Sequence, residues 1–98
     1  MADRIRYLVA YDIRHPRRLR RVHRVATDHG EPLQYSVFVC DLTATELTAL
    51  RRALLAEIKT TEDSIGIFDL GAPAGRGVQC IEFLGLRQDL PSDDPTIW

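Results

Sequence analysis

The chain has 98 residues and a formal net charge of −1, which limits it to one domain with a modest core. Charges interrupt the N-terminal MADRIRYLVAYD, and no apolar run approaches the ~18 residues of a membrane span. Neither cysteine has a metal-ligand spacing, so Cys40 and Cys80 are predicted to be buried thiols within strands. We therefore expect a soluble, cytoplasmic protein that has no membrane partner, zinc site or disulfide.

Charge is distributed unevenly along the chain. Residues 1–24 hold eight arginines against two acids, whereas residues 57–98 hold eight acids against three bases. The small net charge therefore conceals a predicted basic face.

The first predicted elements are a strand, a helix and a strand region. Residues 5–13 are apolar on both faces, which is typical of a central strand. A helix begins near Pro16 and ends before Gly30, a plausible residue to follow a helix. Residues 33–42 form the strand region, which we expect to bend or split into a short hairpin near residues 34–36.

The second half predicts a helix and two strands. The sequence TATE at 43–46 predicts a capping box opening a helix with the apolar stripe Leu47, Leu50, Leu54 and Ile58. Strands are predicted at 64–70 and 78–84, and the Gly/Pro-rich segment 71–77 between them is interpreted as a hairpin turn.

This order predicts an α+β ferredoxin-like sandwich, an antiparallel sheet with two helices on one face, plus an extra C-terminal strand. Residues 1–86 form the domain, and residues 87–98 form a C-terminal tail that is either flexible or partner-binding. Two helices leave one sheet face uncovered, including Leu8, Ala10 and one side of SVFVCDL. A homodimer that buries this face is the expected remedy.

Four arginines of the first helix share one side, because Arg17, Arg20, Arg21 and Arg24 lie at i, i+3, i+4 and i+7. Cations in the first turns oppose the helix dipole, and few acids lie near enough along the helix to neutralise them. The pattern favours an anionic partner, best a nucleic-acid backbone, since guanidinium binds phosphate bidentately. A solvated polar face remains the alternative.

Asp12 ends the first strand, where a rigid backbone can present a carboxylate to solvent. Magnesium binds proteins through only one or two carboxylates, so two copies of Asp12 near a dimer axis could share one ion. The alternatives are a cap of the first helix or an ion pair with Arg14 or Arg17. The three histidines are expected to be surface or packing residues.

The strand YLVAYDI, the basic helix with RLRRV, Gly30-Glu31 and above all LQYSVFVCDLT before a helix resemble the CRISPR-associated protein 2 family. This family is the small subunit of the spacer-acquisition machinery, and the resemblance covers residues 5 to about 86. It implies a ferredoxin-like homodimer in which the last strand completes the partner subunit's sheet. It also implies Mg²⁺-dependent phosphodiesterase activity on RNA or duplex DNA, and a scaffold role beside CRISPR-associated protein 1, the integrase.

By position, the resemblance makes Asp12 the metal-binding residue at the dimer axis, with Tyr11 and Phe38 as its neighbours and Ser36 in the same strand motif. It makes Arg20 and Arg21 phosphate contacts, to which we add Arg14, Arg17 and Arg24 as nucleic-acid-binding candidates. Many relatives have an acid directly after SVF, where this chain has Val39 and then Cys40, with Asp41 as the next carboxylate.

Three functional hypotheses follow. The first is a homodimeric nucleic-acid-binding adaptation protein with Mg²⁺-dependent endonuclease activity, in which Asp12, Tyr11, Phe38 and Ser36 form the catalytic set. The second is a non-catalytic DNA-binding scaffold for the integrase. The third is a small regulatory ferredoxin-like dimer that binds a metabolite, which would leave the arginines without a role.

Overall fold

The computed structural model describes residues 3–85, which fold into a sheet covered on one face by two helices. The elements in chain order are β1 (Ile5–Asp12), α1 (Pro16–His29), β2 (Glu31–Gln34), β3 (Val37–Leu42), α2 (Ala44–Leu55), β4 (Ser64–Gly71) and α3 (Arg76–Gln79). The expected hairpin within the second strand region is confirmed, because a turn at residues 35–36 separates β2 from β3.

The sheet has the order β2-β3-β1-β4 and is antiparallel throughout. This confirms β1 as a central strand and the ferredoxin-like α+β class. Val9, Tyr11, Phe38 and Cys40 lie on the face that α1 and α2 cover, with Val22 and Ala26 of α1 and Leu47, Leu50 and Leu54 of α2 completing the buried core. Within residues 3–85, no helix is both long enough and apolar enough to cross a membrane.

The ends of α1 are set by two different devices. Pro16 occupies the first helical turn, and the His15 side chain accepts the Arg17 N–H at 3.1 Å as the N-cap. At the other end, Gly30 has extended backbone with φ −166°. A Cβ there would lie 2.4 Å from both Cys40 Sγ and the Val39 carbonyl oxygen, so close packing against β3 is what requires glycine.

The predicted capping box of α2 is confirmed by two reciprocal hydrogen bonds. The Glu46 N–H donates to Thr43 Oγ1 at 3.2 Å, and the Thr43 N–H donates to Glu46 Oε1 at 2.8 Å. Arg4 also forms an ion pair with Glu46. These contacts lower the pKa of Glu46, chiefly through the Thr43 backbone hydrogen bond.

The segment after β4 differs from its prediction. Residues 71–77 are not a hairpin turn and residues 78–84 are not a strand: the chain makes a turn and then the short helix α3. The Gly77 N–H donates to the Ala72 carbonyl, and the Cys80 N–H donates to the Arg76 carbonyl. These backbone groups therefore form local hydrogen bonds and not the inter-strand hydrogen bonds of a hairpin. Residues 80–85 pair with no strand in the described part of the chain, and Cys80 is exposed, not buried. The predicted tail, 87–98, lies outside the described residues.

Candidate metal and nucleic-acid site

Asp12 is the last residue of β1 and lies on the sheet face opposite α1 and α2, at the other end of the strand from Arg6, which α3 contacts. Its side chain is 66% exposed, and its ion-pair partner is Arg14 Nη2 at 3.4 Å, equally exposed. Exposed pairs of this kind contribute about 0–1 kcal/mol, so Arg14 does not lock the carboxylate in place. Asp12 is therefore accessible to a cation or to a ligand from solvent.

The structure excludes one of the alternative roles of Asp12, that of helix cap. His15 is the N-cap of α1, so Asp12 does not cap the helix. The Arg14 N–H donates to Asp63 Oδ1 at 2.9 Å, which removes a second local donor from Asp12. The ion pair with Arg14 is present, and the carboxylate otherwise points to solvent.

Of the other three residues of the predicted catalytic set, Tyr11 and Phe38 lie on the sheet face opposite the Asp12 carboxylate. Tyr11 and Phe38 stack with ring centroids 6.2 Å apart, on the helix-covered face, and Phe38 is fully buried. Neighbouring residues of a strand point to opposite faces, so Tyr11 and Asp12 diverge. Ser36 lies in the turn before β3, and its carbonyl accepts the Tyr11 N–H at 3.1 Å. The ring contact between Tyr11 and Phe38 and the hydrogen bond from Tyr11 to Ser36 hold the end of β1 in place.

Asp41, the alternative second acid, is engaged elsewhere. Its two carboxylate oxygens accept from Arg6 Nε at 2.8 Å and Arg6 Nη2 at 2.9 Å, and Arg6 is fully buried. Arg6 is six residues before Asp12 on β1, about 20 Å along an extended strand. Asp41 therefore cannot join Asp12 in one chain at a shared ion.

The donor set fits magnesium in a limited way. Residues 3–85 contain no cluster of three or more His, Cys, Asp or Glu side chains suited to a metal. One exposed carboxylate is nevertheless what Mg²⁺ commonly takes from a protein, because waters and phosphate oxygens fill the rest of its octahedron. At the end of β1 that group is Asp12, whose contact within the described residues is with Arg14 and not with a second carboxylate.

The arginines of α1 divide into paired and accessible groups. Arg18 Nε donates to Asp63 Oδ2 at 2.7 Å, and Arg18 Nη2 also contacts Glu62 at 3.1 Å. Arg21 lies 3.9 Å from Glu57, a loose contact. The five exposed arginines on or just before α1 are the five nucleic-acid-binding candidates: Arg14, Arg17, Arg20, Arg21 and Arg24. They form a surface that phosphates can reach.

Asp63 is a residue that the sequence reading missed. It is buried and accepts hydrogen bonds from the Arg14 and Lys59 N–H groups and from Arg18, which fixes the start of α1 beside β4. The Arg18 hydrogen bond is the main reason that the pKa of Asp63 lies well below its usual range. Its position just before a strand was the only hint in the sequence, because its partners lie up to 49 residues away.

We expect Asp63 to make stability depend on acid pH. Its pKa is depressed in the folded state, so its contribution is present above the unfolded value of about 3.9 and is lost as pH falls below it. The Asp63→Asn variant should have a lower Tm than the wild type at pH 7, and the difference between the two Tm values should shrink progressively as pH falls below about 4. Thermal unfolding followed by circular dichroism tests this, and parallel Tm-against-pH curves would contradict it.

Comparisons with known proteins identify the family of this chain. A family model described as CRISPR associated protein Cas2 matches residues 5–75. The chain is 42% identical to CRISPR-associated endoribonuclease Cas2 2 of Thermodesulfovibrio yellowstonii over 68% of this chain and 74% of that protein. It is 30% identical to CRISPR-associated endonuclease Cas2 of Halalkalibacterium halodurans over 93% of this chain and 97% of that protein.

A solved structure shows the same architecture. The crystal structure of Streptococcus pyogenes Cas2 superposes with a TM-score of 0.72 at 33% identity, over 82% of this chain and 99% of that one. The family match spans most of the described domain, including β1 with Asp12 and the whole of α1. The chain therefore belongs to the Cas2 family of CRISPR-associated proteins.

Proposed function

We propose that this chain acts as a homodimer that binds nucleic acid through the arginines of α1 and hydrolyses phosphodiester bonds with Mg²⁺ held by Asp12. The observation that carries the proposal is the exposed Asp12 carboxylate at the end of the central strand, next to the arginine-rich start of α1. Relatives named endoribonuclease and endonuclease support a nuclease activity. The proposed substrates are RNA and duplex DNA.

Asp12 would hold the ion, which supplies charge neutralisation at the scissile phosphate and a more acidic bound water. Arg14 and Arg17 stand at the start of α1, where their guanidinium groups can bind the neighbouring phosphates and fix the strand. Arg14 would then exchange its weak contact with Asp12 for a phosphate. Buried Phe38 and Tyr11 keep the end of β1 rigid, which positions Asp12.

The dimer is supported by an apolar patch on the sheet face opposite α1 and α2. Leu8 of β1 lies opposite Phe68 of β4, and Ala10 lies opposite Gly66. The Phe68 ring folds over Gly66, where a Cβ would come within 2.7 Å of the ring, yet Phe68 remains 52% exposed. Asp12 lies on this same face, so a two-fold dimer formed through the patch supplies two copies of Asp12 on one side of the assembly.

We expect light scattering at micromolar concentration to show a dimer, and Phe68→Glu to shift it toward the monomer, because the variant places a charge in an apolar interface. Leu55→Glu is the matched control: Leu55 is 61% exposed on α2, at the other face of the sheet, and this change should leave the dimer intact. A monomeric wild type, or equal effects of the two variants, would overturn this interface.

A second candidate function is a non-catalytic DNA-binding scaffold beside CRISPR-associated protein 1, the integrase. The observation favouring it is the limited donor set: Val39 and Cys40, the two residues that follow SVF, are buried, and burial raises the pKa of the Cys40 thiol to about 11. Neither side chain can serve as a ligand or base. In this role the arginines of α1 hold duplex DNA, and Asp12 contributes only its contact with Arg14.

One experiment separates the two functions. Purified protein is incubated with single-stranded RNA and with duplex DNA, each in a Mg²⁺ arm and an EDTA arm, while binding is measured in parallel in EDTA. Magnesium-dependent cleavage of either substrate supports the nuclease, and the two substrates show which polymer is preferred. Binding of duplex DNA without cleavage of either substrate supports the scaffold. Absence of both would refute nucleic-acid binding.

A further inference from the structure

A groove lies between α1 and the turn that joins β2 to β3, at the helix-covered side of the sheet and away from Asp12. Its volume is about 590 Å³, and its lining residues are Tyr11, Leu19, Arg20, His23, Arg24, Thr27, Asp28 and Tyr35. This volume lies within the ~300–1,000 Å³ that small-ligand sites occupy. None of the roles assigned above to Asp12, Arg14 or Arg17 uses the groove.

The rim of the groove carries two arginines that form no ion pair within residues 3–85. Arg20 and Arg24 lie one turn apart on α1, both exposed, and neither forms an ion pair with the described residues. Arg18 and Arg21, on the side toward α2, do have carboxylate partners. Asp28 adds one acid near the C-terminal end of α1. The pair on the rim is therefore suited to phosphate, which guanidinium binds bidentately.

The opposite wall presents an aromatic ring. Tyr35 stands in the β2–β3 turn and is 85% exposed, although burial would ordinarily be favoured for a ring of its size. Deeper in the groove, the Tyr11 hydroxyl and His23 Nδ1 share a hydrogen bond of 3.2 Å, and the His23 ring meets Phe38 edge-on at 5.4 Å. These contacts hold the side chains of Tyr11 and His23 in place, whereas the exposed ring of Tyr35 has a face open to a ligand.

A flat aromatic ring opposite two arginines matches the chemistry of an unpaired nucleotide. Proteins bind single strands by stacking bases on aromatic side chains beside a basic track, and every base offers a π-face for this. Bases inside a duplex are stacked on their neighbours and present only their edges in the grooves. The groove is therefore expected to distinguish single strands from duplexes by whether a base has a free face for stacking, and not by charge alone.

We propose that this groove binds single-stranded nucleic acid, with an unpaired base stacked on Tyr35 and flanking phosphates on Arg20 and Arg24. The inference rests on the proposed nucleic-acid-binding function and adds a second contact region, at the other sheet face from Asp12. A single strand held there would be selected over a duplex before any contact with the Asp12 end of β1.

The test is fluorescence anisotropy in EDTA, with a labelled 12-nucleotide RNA of no self-complementarity and with the same strand annealed to its complement. Tyr35→Leu, which keeps apolar bulk but removes the ring, should weaken single-strand binding by about 5- to 100-fold and leave duplex binding nearly unchanged. Tyr35→Phe should bind as the wild type does. Arg20→Gln should weaken single-strand binding, whereas Arg51→Gln, an exposed arginine of α2, is the charge-matched control.

Equal single-strand affinity of the Tyr35→Leu variant and the wild type would overturn the inference, as would an equal loss on single strand and duplex. Wild-type protein that binds neither polymer would overturn both the inference and the proposed function. Other outcomes separate the groove inference from the proposed nuclease function. If the wild type cleaves and Tyr35→Leu binds single strands as the wild type does, only the groove inference is refuted. If Tyr35→Leu weakens single-strand binding but the wild type does not cleave, only the nuclease activity is refuted.

Discussion

Asp12→Asn should reduce Mg²⁺-dependent phosphodiester cleavage by about 100-fold or more, if the ion held there supplies the main electrostatic stabilisation. The variant preserves the shape of the side chain and removes only its negative charge. Because Asp12 is exposed and makes only a weak ion pair with Arg14, folding stability should change by no more than about 1 kcal/mol. Cleavage rates measured with excess protein over substrate, at matched protein concentrations, give the comparison.

Binding of nucleic acid should survive this change, because the phosphate contacts come from arginines, and loss of a nearby negative charge favours a polyanion. Asp69→Asn is the matched control. Asp69 is an exposed carboxylate on β4 that accepts the Gly71 N–H at 2.8 Å, and an asparagine oxygen retains that bond. Cleavage that is equal in the wild type and Asp12→Asn would assign the activity to another residue or to a contaminating nuclease.

Asp41→Ala should lower the free energy of unfolding by about 3 kcal/mol, because it removes the carboxylate that neutralises a fully buried guanidinium. Arg6 bonds Asp41 through two parallel hydrogen bonds and donates to the Gly77 carbonyl through Nη1 at 3.4 Å. The loss should therefore also loosen α3, which contains Gly77, from the sheet. Urea unfolding followed by circular dichroism measures the effect.

Asp41→Asn provides the graded comparison, since its amide oxygen still accepts one hydrogen bond from Arg6, and it should lose less stability than Asp41→Ala. If Asp41→Ala does not fold, the Asp41→Asn midpoint alone tests the contribution. Both variants should keep the end of β1 that carries Asp12, about 20 Å away along the strand. A change below about 0.5 kcal/mol in both would show that the Arg6–Asp41 pair does not stabilise the fold.

Local sequence chemistry was sufficient for much of the fold. The capping box before α2 and the proline at the start of α1 both act within one helical turn, and both are confirmed. The turn at residues 35–36 that separates β2 from β3 was likewise predicted, as a bend or short hairpin near residues 34–36. The prediction for residues 71–84 was wrong. The alternation of apolar residues predicted a strand, but the backbone N–H groups of Gly77 and Cys80 donate to the nearby carbonyls of Ala72 and Arg76 instead of to another strand.

The candidate site was only partly accessible from the sequence. The exposed arginine face of α1 follows from helical periodicity, and the structure leaves its members at the surface. Strand alternation already placed Tyr11 on the face opposite Asp12, whereas resemblance alone grouped Tyr11 and Phe38 with it. The burial of Arg6 and Asp63 depends on partners 35 and 45 residues away, respectively, which no local pattern encodes.

The most direct measurement of the central claim is divalent-cation binding by the dimer, followed as loss of the free Mn²⁺ electron paramagnetic resonance signal, with Mn²⁺ replacing Mg²⁺ at an oxygen-ligand site. In the presence of a non-cleavable phosphorothioate strand, the wild type should bind Mn²⁺ and saturate at one ion per two chains, because two copies of Asp12 share it. Asp12→Asn should leave the free Mn²⁺ signal at its protein-free level, while Asp69→Asn should bind as the wild type does. Equal Mn²⁺ binding by the wild type and Asp12→Asn would contradict the assignment of Asp12 as the metal-binding residue.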